Sequence, residues 1–201
     1  DEEMFKKYLY YTSAKYIQRL KEPKNQELME IINCADEKKK VQQFNAYIRK
    51  AENLKKFQKI FPIIATTSIS AHKLGEPGTY FDMVIMDEAS QGNIAMSLVP
   101  IIRGWSLMLV GDPQQLSPVI LLHPADNERL KKIYSVTEEY DYIKNSIYKT
   151  YLACDAVSEE ILLSHHYRCN EKIIAFNNQK YYNNKLVINS QSQADTPLIF
   201  K

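Results

Sequence analysis

Two apolar runs, each ending in a cluster of carboxylates and amides, constrain this chain most. Phe81-Asp82-Met83-Val84-Ile85-Met86 runs into Asp87-Glu88-Ala89-Ser90-Gln91. Further on, Leu107-Met108-Leu109-Val110 runs into Gly111-Asp112-Pro113-Gln114-Gln115-Leu116-Ser117-Pro118. Apolar runs of this length, bounded by turn residues, are what strands buried on both faces look like. Ligands of open parallel sheets collect at the carboxyl ends of such strands. Either run alone would fit a core strand with a solvated cap. Together, at this spacing, they predict an α/β fold whose strands deliver acidic groups to one edge, the layout of a nucleotide-hydrolysing site.

Asp87-Glu88-Ala89-Ser90-Gln91 resembles motif II, a Walker B variant, of superfamily 1 helicases, in the branch of the nonsense-mediated-decay helicase and senataxin. Gly111 to Pro118 resembles motif III of that branch. Glu160-Ile161-Leu162-Leu163-Ser164 reads as a further strand feeding His165-His166-Tyr167-Arg168, which resembles motif IV with its Tyr-Arg pair. The resemblance covers roughly Phe61 to Ile188. It implies a RecA-like P-loop NTPase core with parallel strands, ATP and Mg²⁺ as cofactors, and single-stranded DNA or RNA as partner, with 5′-to-3′ polarity.

Site residues follow from the resemblance, and their chemistry agrees. Asp87 is placed to hold Mg²⁺ through its water shell, since Mg²⁺ favours carboxylate plus retained water. Glu88 would polarise the attacking water. Gln115, an amide that both donates and accepts, would bond the γ-phosphate or water and relay its presence to the nucleic-acid side. Arg168 would supply positive charge from the second lobe, as an arginine finger does. Tyr167 would stack on the adenine.

The N-terminal third, from Asp1 to Gln58, reads as helical. Phe5, Leu9, Tyr16 and Leu20 recur at roughly helical intervals. Asn25 is a plausible N-cap for a short helix with Leu28, Ile31 and Ile32 on one face, and Asp36 for a longer one. In the latter, Val41, Phe44, Ile48, Ala51 and Leu54 form a narrow seam suited to a partner helix. Lysines 38, 39, 40, 50, 55, 56 and 59 crowd this region. They form either a solvated face or a stalk that offers cations to a phosphate backbone.

Phe61 to Ala65 reads as a strand that leads into Thr66-Thr67-Ser68-Ile69-Ser70. These hydroxyls could donate to phosphate oxygens, as a threonine-containing motif does at this place in the family, or could cap the next helix. Thr66, Thr67 and Ser68 are therefore nucleic-acid candidates. Gly75 to Gly78 is a turn, Asn93 to Pro100 a helix, and Gly104 ends that connection before the second strand. Leu122 to Ala156 reads as helices. A helix runs from Asn170 to about Tyr181, with Ile173, Ile174 and Phe176 on its apolar face. The tail from Lys185 to Lys201 returns to short apolar runs.

The expected organisation is a helical stalk over residues 1–60, part of a first RecA-like domain over 61–122, a helical connection over 123–158, and the start of a second RecA-like domain over 159–201. Net charge is +2, so any nucleic-acid binding must come from a local basic face. The three cysteines, Cys34, Cys154 and Cys169, are far apart and lack zinc-ligand spacing. The adjacent histidines likewise have no carboxylate or cysteine at ligand spacing on their element. With no secretory signal and no membrane-length apolar run, a cytoplasmic or nuclear location is expected, with no membrane partner.

None of the five glycines stands in a Gly-x-x-x-x-Gly-Lys-Ser/Thr loop, and no arginine follows Arg168. The chain is thus expected to be the middle of a helicase, inactive alone and dependent on the rest of its parent. The rival expectation is a natural truncated nucleic-acid-binding or adaptor module without ATPase activity. Retention of Asp87, Glu88, Gln115 and Arg168 together argues against that.

Overall fold

A computed structural model describes residues 2–190. The chain divides into two units, the first ending at Cys154 and the second beginning at Asp155.

In the first unit, helix α1 (Glu2–Gln18) buries no side chain. Lys6–Glu2 and Lys7–Glu3 pairs one turn apart support it locally, with each glutamate N-terminal to its lysine, the favourable order. Helices α2 (Gln26–Ile32), α3 (Glu37–Arg49) and α4 (Ala51–Gln58) then enclose a core of Leu28, Ile31, Tyr47, Ile48, Leu54, Ile60 and Leu74. Asp36 caps α3 as expected, accepting from the Lys38 and Lys39 N–H groups at 2.9 and 3.1 Å. Asn25 does not cap α2 with its side chain. Its amide is buried and donates instead to the Arg19 carbonyl at 2.7 Å.

The seam expected to run through one long helix is broken at Lys50, whose backbone is extended. Thirteen residues of continuous helix rise about 20 Å. The break instead brings the Phe44 and Phe57 rings to 5.5 Å, edge to face.

Strands β1 (Phe81–Met86) and β2 (Gly104–Leu109) pair in parallel, with Phe81 opposite Gly104 and Met86 opposite Leu109. Helix α5 (Ile94–Ile101) joins them, and Asn93 caps it by accepting from the Met96 N–H at 2.9 Å. Gly104 thus opens the second strand rather than closing the connection before it. Phe61 to Ala65 is not a strand. Pro62 has no N–H for a ladder, Phe61 stacks on Phe57 at 4.8 Å, and Ile63 is 88% exposed. Helices α6 (Pro124–Tyr134) and α7 (Ile147–Cys154) complete the unit. Ile147 closes a second core with Met86 and Ala89.

In the second unit, β3 (His165–His166) pairs in parallel with β4 (Val187–Ile188), and α8 (Glu171–Tyr181) lies between them in sequence. Asn170 caps α8 through the Lys172 N–H at 3.0 Å. The strand expected over Glu160–Ser164 does not form: only the Ser164 carbonyl joins the ladder, accepting from the Val187 N–H at 2.8 Å, and the residue pairs of that ladder are His165 with Val187 and His166 with Ile188. On α8, Ile174 is buried but Phe176 is exposed, with the Lys180 ammonium 5.3 Å from its ring. The apolar run expected near the end of the tail lies in 191–201, outside the described residues.

Candidate active site

The parallel register sets the ends of β1 and β2 side by side, and backbone bonds carry the pairing into the loops beyond. Val110 donates its N–H to the Met86 carbonyl at 2.8 Å, and Ala89 donates to the Val110 carbonyl at 2.9 Å. Between Met86 and Ala89, which are buried, Asp87 and Glu88 are exposed. Glu88 takes a left-handed backbone (φ 52°, ψ 36°). A non-glycine residue there costs about 1–2 kcal/mol, so the surroundings must hold it.

Each loop carries a carboxylate with a glutamine three residues on that donates to it. Gln91 Nε2 donates to Glu88 Oε2 at 3.1 Å, and Gln115 Nε2 donates to Asp112 Oδ2 at 2.9 Å. The Glu88 N–H donates to Asp87 Oδ1 at 3.0 Å, and the Gln114 N–H to Asp112 Oδ1 at 3.0 Å. The loops are also tied to each other, since the Asp112 N–H donates to the buried Ser90 hydroxyl at 3.3 Å. Asp87, Glu88 and Gln115 therefore stand on adjacent loops of one sheet edge, tied together through Met86, Ala89 and Ser90 on one side and Val110 and Asp112 on the other. Ser90, Gly111 and Asp112 do much of this tying, and sequence reading assigned them no role. Their signal was present, since a glycine at a strand often marks close backbone approach.

A donor set of one exposed strand-end carboxylate with a second beside it suits Mg²⁺, which keeps several waters and needs few protein ligands. Among the described residues, no group of three or more His, Cys, Asp or Glu side chains gathers as a closed metal site.

A cleft of about 450 Å³ runs along β1, lined by Thr66, Thr67 and Ser68 on one side and by Met83, Ile85 and Asp87 on the other. The hydroxyl triplet and Asp87 thus border one cleft. Thr67 also serves its own turn, since Oγ1 accepts from the Ser70 N–H at 3.3 Å. Arg103, which sequence reading passed over, lies buried at the same cleft. Its guanidinium donates to the carbonyls of Leu74 (2.9 Å), Val99 (2.5 Å), His72 (3.4 Å) and Gly75 (3.5 Å). Burial pushes its pKa below the ordinary value. Four carbonyls around one planar cation make it a structural clamp on the 72–75 turn.

Tyr167 and Arg168 belong to the second unit, directly after β3, and both are exposed. The Tyr167 ring stacks near His165, with centroids 6.3 Å apart. His166 Nε2 accepts from the Cys169 N–H at 2.8 Å, so that histidine closes a turn.

A family described as an AAA domain matches residues 3–122, more than half of the 201-residue chain. The chain is 35% identical over 124 residues to the ATP-dependent helicase MJ0104 of Methanocaldococcus jannaschii, covering 62% of this chain and 16% of that protein. It is 33% identical over 126 residues to Helicase SEN1 of Saccharomyces cerevisiae, covering 62% of this chain and 5% of that protein. It is 29% identical over 133 residues to the DNA replication ATP-dependent helicase/nuclease DNA2 of Homo sapiens, covering 66% and 11%. The chain thus spans less than a fifth of these relatives. With the AAA-domain match covering the loop after β1 and most of the loop after β2, this chain belongs to the superfamily 1 helicases, in the branch of Sen1 and the nonsense-mediated-decay helicase.

Proposed function

We propose that the intact polypeptide containing this chain couples ATP hydrolysis to movement along single-stranded DNA or RNA, with 5′-to-3′ polarity. The observation that carries this reading is the exposed Asp87–Glu88 pair at the end of β1, whose flanking residues Met86 and Ala89 bond through their backbones to Val110 while the Ser90 hydroxyl accepts from the Asp112 N–H in the loop after β2. The relatives' names support nucleotide use. They also divide between nucleic acids, since one is a DNA replication helicase/nuclease and another, from Mus musculus, an RNA helicase.

In this reading Asp87 would hold Mg²⁺ through water, and the ion would supply positive charge that offsets the charge of the ATP phosphates. Glu88 takes the proton of the attacking water, and its backbone geometry is set before substrate arrives. Gln91 orients the Glu88 carboxylate through the 3.1 Å bond. Gln115 exchanges its bond to Asp112 for one to the terminal phosphate, which turns a phosphate-dependent event into movement of the 111–118 loop. Tyr167 stacks on the base, and Arg168 faces the charge that develops on the transferring group. Thr66, Thr67 and Ser68 contact the nucleic-acid backbone from the cleft beside Asp87. No helix among the described residues is long and apolar enough to cross a membrane, and a cytoplasmic or nuclear site of action fits this reading.

Residues 1–201 contain no phosphate-cradling Gly-x-x-x-x-Gly-Lys-Ser/Thr loop, so this chain alone should not hydrolyse ATP. The test is phosphate release with and without single-stranded nucleic acid, in the intact polypeptide and in the 201-residue chain. Glu88→Gln in the intact polypeptide should lower turnover by roughly a hundredfold or more while ATP still binds. Parental turnover in that variant would sink the assignment.

A further inference from the structure

We propose that Ile147, the first residue of α7, is a positioning residue for the Asp87–Glu88 pair. The inference rests on reading that pair as the hydrolytic site, and it adds a part that neither strand supplies. Asp87 and Glu88 are flanked by Met86 and Ala89, and those two residues share one buried cluster with Ile147, which is 1% exposed. The acidic pair therefore projects from a small apolar base of which α7 forms one wall.

Backbone contacts reinforce this wall. The Ile147 N–H donates to the Gly92 carbonyl at 2.9 Å, and Asn93 pairs antiparallel with Ser146. Contact at Gly92 is close, since a Cβ there would stand 3.3 Å from Ile147 Cγ2 and 3.0 Å from Ser97 Oγ. The stretch from Met86 to Asn93 is thus held at its start and middle by Val110, directly after β2, and by the first turn of α7 at its end. Glu88 sits in the left-handed region inside this frame. Such a backbone persists only where its surroundings over-determine it, and Ile147 is among the groups that do so here.

Ile147 is itself firmly seated. Asp141 has no exposed surface, and its Oδ1 accepts from the N–H groups of Ile143 (3.0 Å) and Lys144 (3.1 Å). The Asp141 carbonyl accepts from the Asn145 N–H at 3.0 Å, and the buried Ser146 hydroxyl accepts from the Lys149 N–H at 3.2 Å. The approach to α7 is a rigid turn, and the loop of Asp87 and Glu88 leans on it. A small retreat of Ile147 lets Ala89 and Gly92 shift and carries the Glu88 backbone with them. A displacement of about 1 Å at a water-activating group can cost on the order of a hundredfold in rate.

The experiment compares one chemical change in two cores of the intact polypeptide. Ile147→Val removes a methylene beside the site, and Ile48→Val removes one in the helical core of α2, α3 and α4. Expected is a roughly tenfold fall in kcat for ATP hydrolysis in Ile147→Val with KM for ATP within about twofold. Ile48→Val, at a similar loss of Tm, should keep kcat within about twofold. Gly92→Ala, which presses on Ile147 from the loop side, should lower kcat in the same way and gives a second reading if the valine variant folds poorly. Equal kcat in the two valine variants, or a fall that follows Tm alone, overturns the proposal. Glu88→Gln in the same assay separates the two levels. If it abolishes turnover while Ile147→Val does not change it, only the role of Ile147 fails. If Glu88→Gln is active, the site assignment fails and this proposal with it.

Discussion

Gly111 approaches Ser90 so closely that a Cβ on Gly111 would lie 2.8 Å from the Ser90 backbone nitrogen and 3.2 Å from that of Ala89. The two loops of the site touch backbone to backbone at this point, one residue before the Asp112 N–H reaches the Ser90 hydroxyl.

Gly111→Ala should therefore act on catalysis more than its size suggests. Backbone atoms cannot swing aside as a side-chain tip can, so the loops must part. We expect a loss of about 1–3 kcal/mol in stability, the usual cost of overpacking, and a fall in ATP turnover of at least about tenfold in the intact polypeptide. Thermal melting and steady-state kinetics check this, and a variant with parental kcat would show that the loops tolerate separation.

The buried Asp141 gives a pH signature. Burial pushes its carboxyl pKa up, but the Lys131 ammonium at 2.7 Å, the N–H groups of Lys144 and Ile143 and the Asn127 amide outweigh that and hold it well below the ordinary range. A carboxyl with a depressed folded pKa stabilises fully above its unfolded value, about 3.9, and loses that contribution as pH falls toward the folded value. Lys131 is held above its ordinary value, by Asp141 first and then by Glu138. Its share is complete below about pH 10 and fades as pH rises toward the folded value. Asp141→Asn should lower Tm by roughly 10 °C at pH 7, because Lys131 loses its buried counter-charge. It should also flatten the decline of Tm below about pH 4. Melting curves from pH 2.5 to 8 test both, and an unchanged acid limb would contradict the assignment.

Arg103→Lys tests the clamp. Lysine keeps the charge but presents a single ammonium where a planar fork reaches four carbonyls. We expect a stability loss of about 2–3 kcal/mol, from buried carbonyls left without donors. A substitution with no effect on the melting temperature would mean that water or neighbouring groups satisfy the 72–75 carbonyls.

Thr67 separates a capping role from nucleic-acid contact. Its hydroxyl accepts from the Ser70 N–H, so Thr67→Ser keeps that bond while Thr67→Ala removes it. If the residue serves only the turn, Thr67→Ala should cost about 1 kcal/mol and leave nucleic-acid affinity alone. If the hydroxyl also meets phosphate, binding to single-stranded oligonucleotide should weaken several-fold in Thr67→Ala and recover in Thr67→Ser. Fluorescence anisotropy at fixed salt distinguishes the two.

Much of this architecture can be read without coordinates where the governing interactions are local. Asp36, Asn93 and Asn170 each meet an N–H two or three residues ahead, and a cap of that kind depends on near neighbours alone. The run Phe81–Met86 is a strand because it finds a parallel neighbour in register at Gly104–Leu109, although Met83 and Ile85 are exposed, so it is not buried on both faces as its apolar length led one to expect. Apolar length alone misjudged Phe61–Ala65 and Glu160–Ser164, whose apolar character is equal. A strand also needs a neighbour, and among the described residues Phe61–Ala65 pairs with no strand, while Glu160–Ser164 meets one only at the Ser164 carbonyl.

The sequence by itself determined that two parallel strands end in acidic loops, and that Asp87, Glu88 and Gln115 stand on those loops. Period, turn chemistry and capping are properties of short segments, and short segments carry them intact. Only the tertiary structure decided that Gly111 abuts Ser90, that Ile147 braces Gly92, and that the largely buried Lys131 meets the fully buried Asp141. Those pairs are separated by between ten and fifty-five positions in the chain. Their meeting is set by how packed elements share volume and satisfy buried polar groups, and no local pattern encodes it.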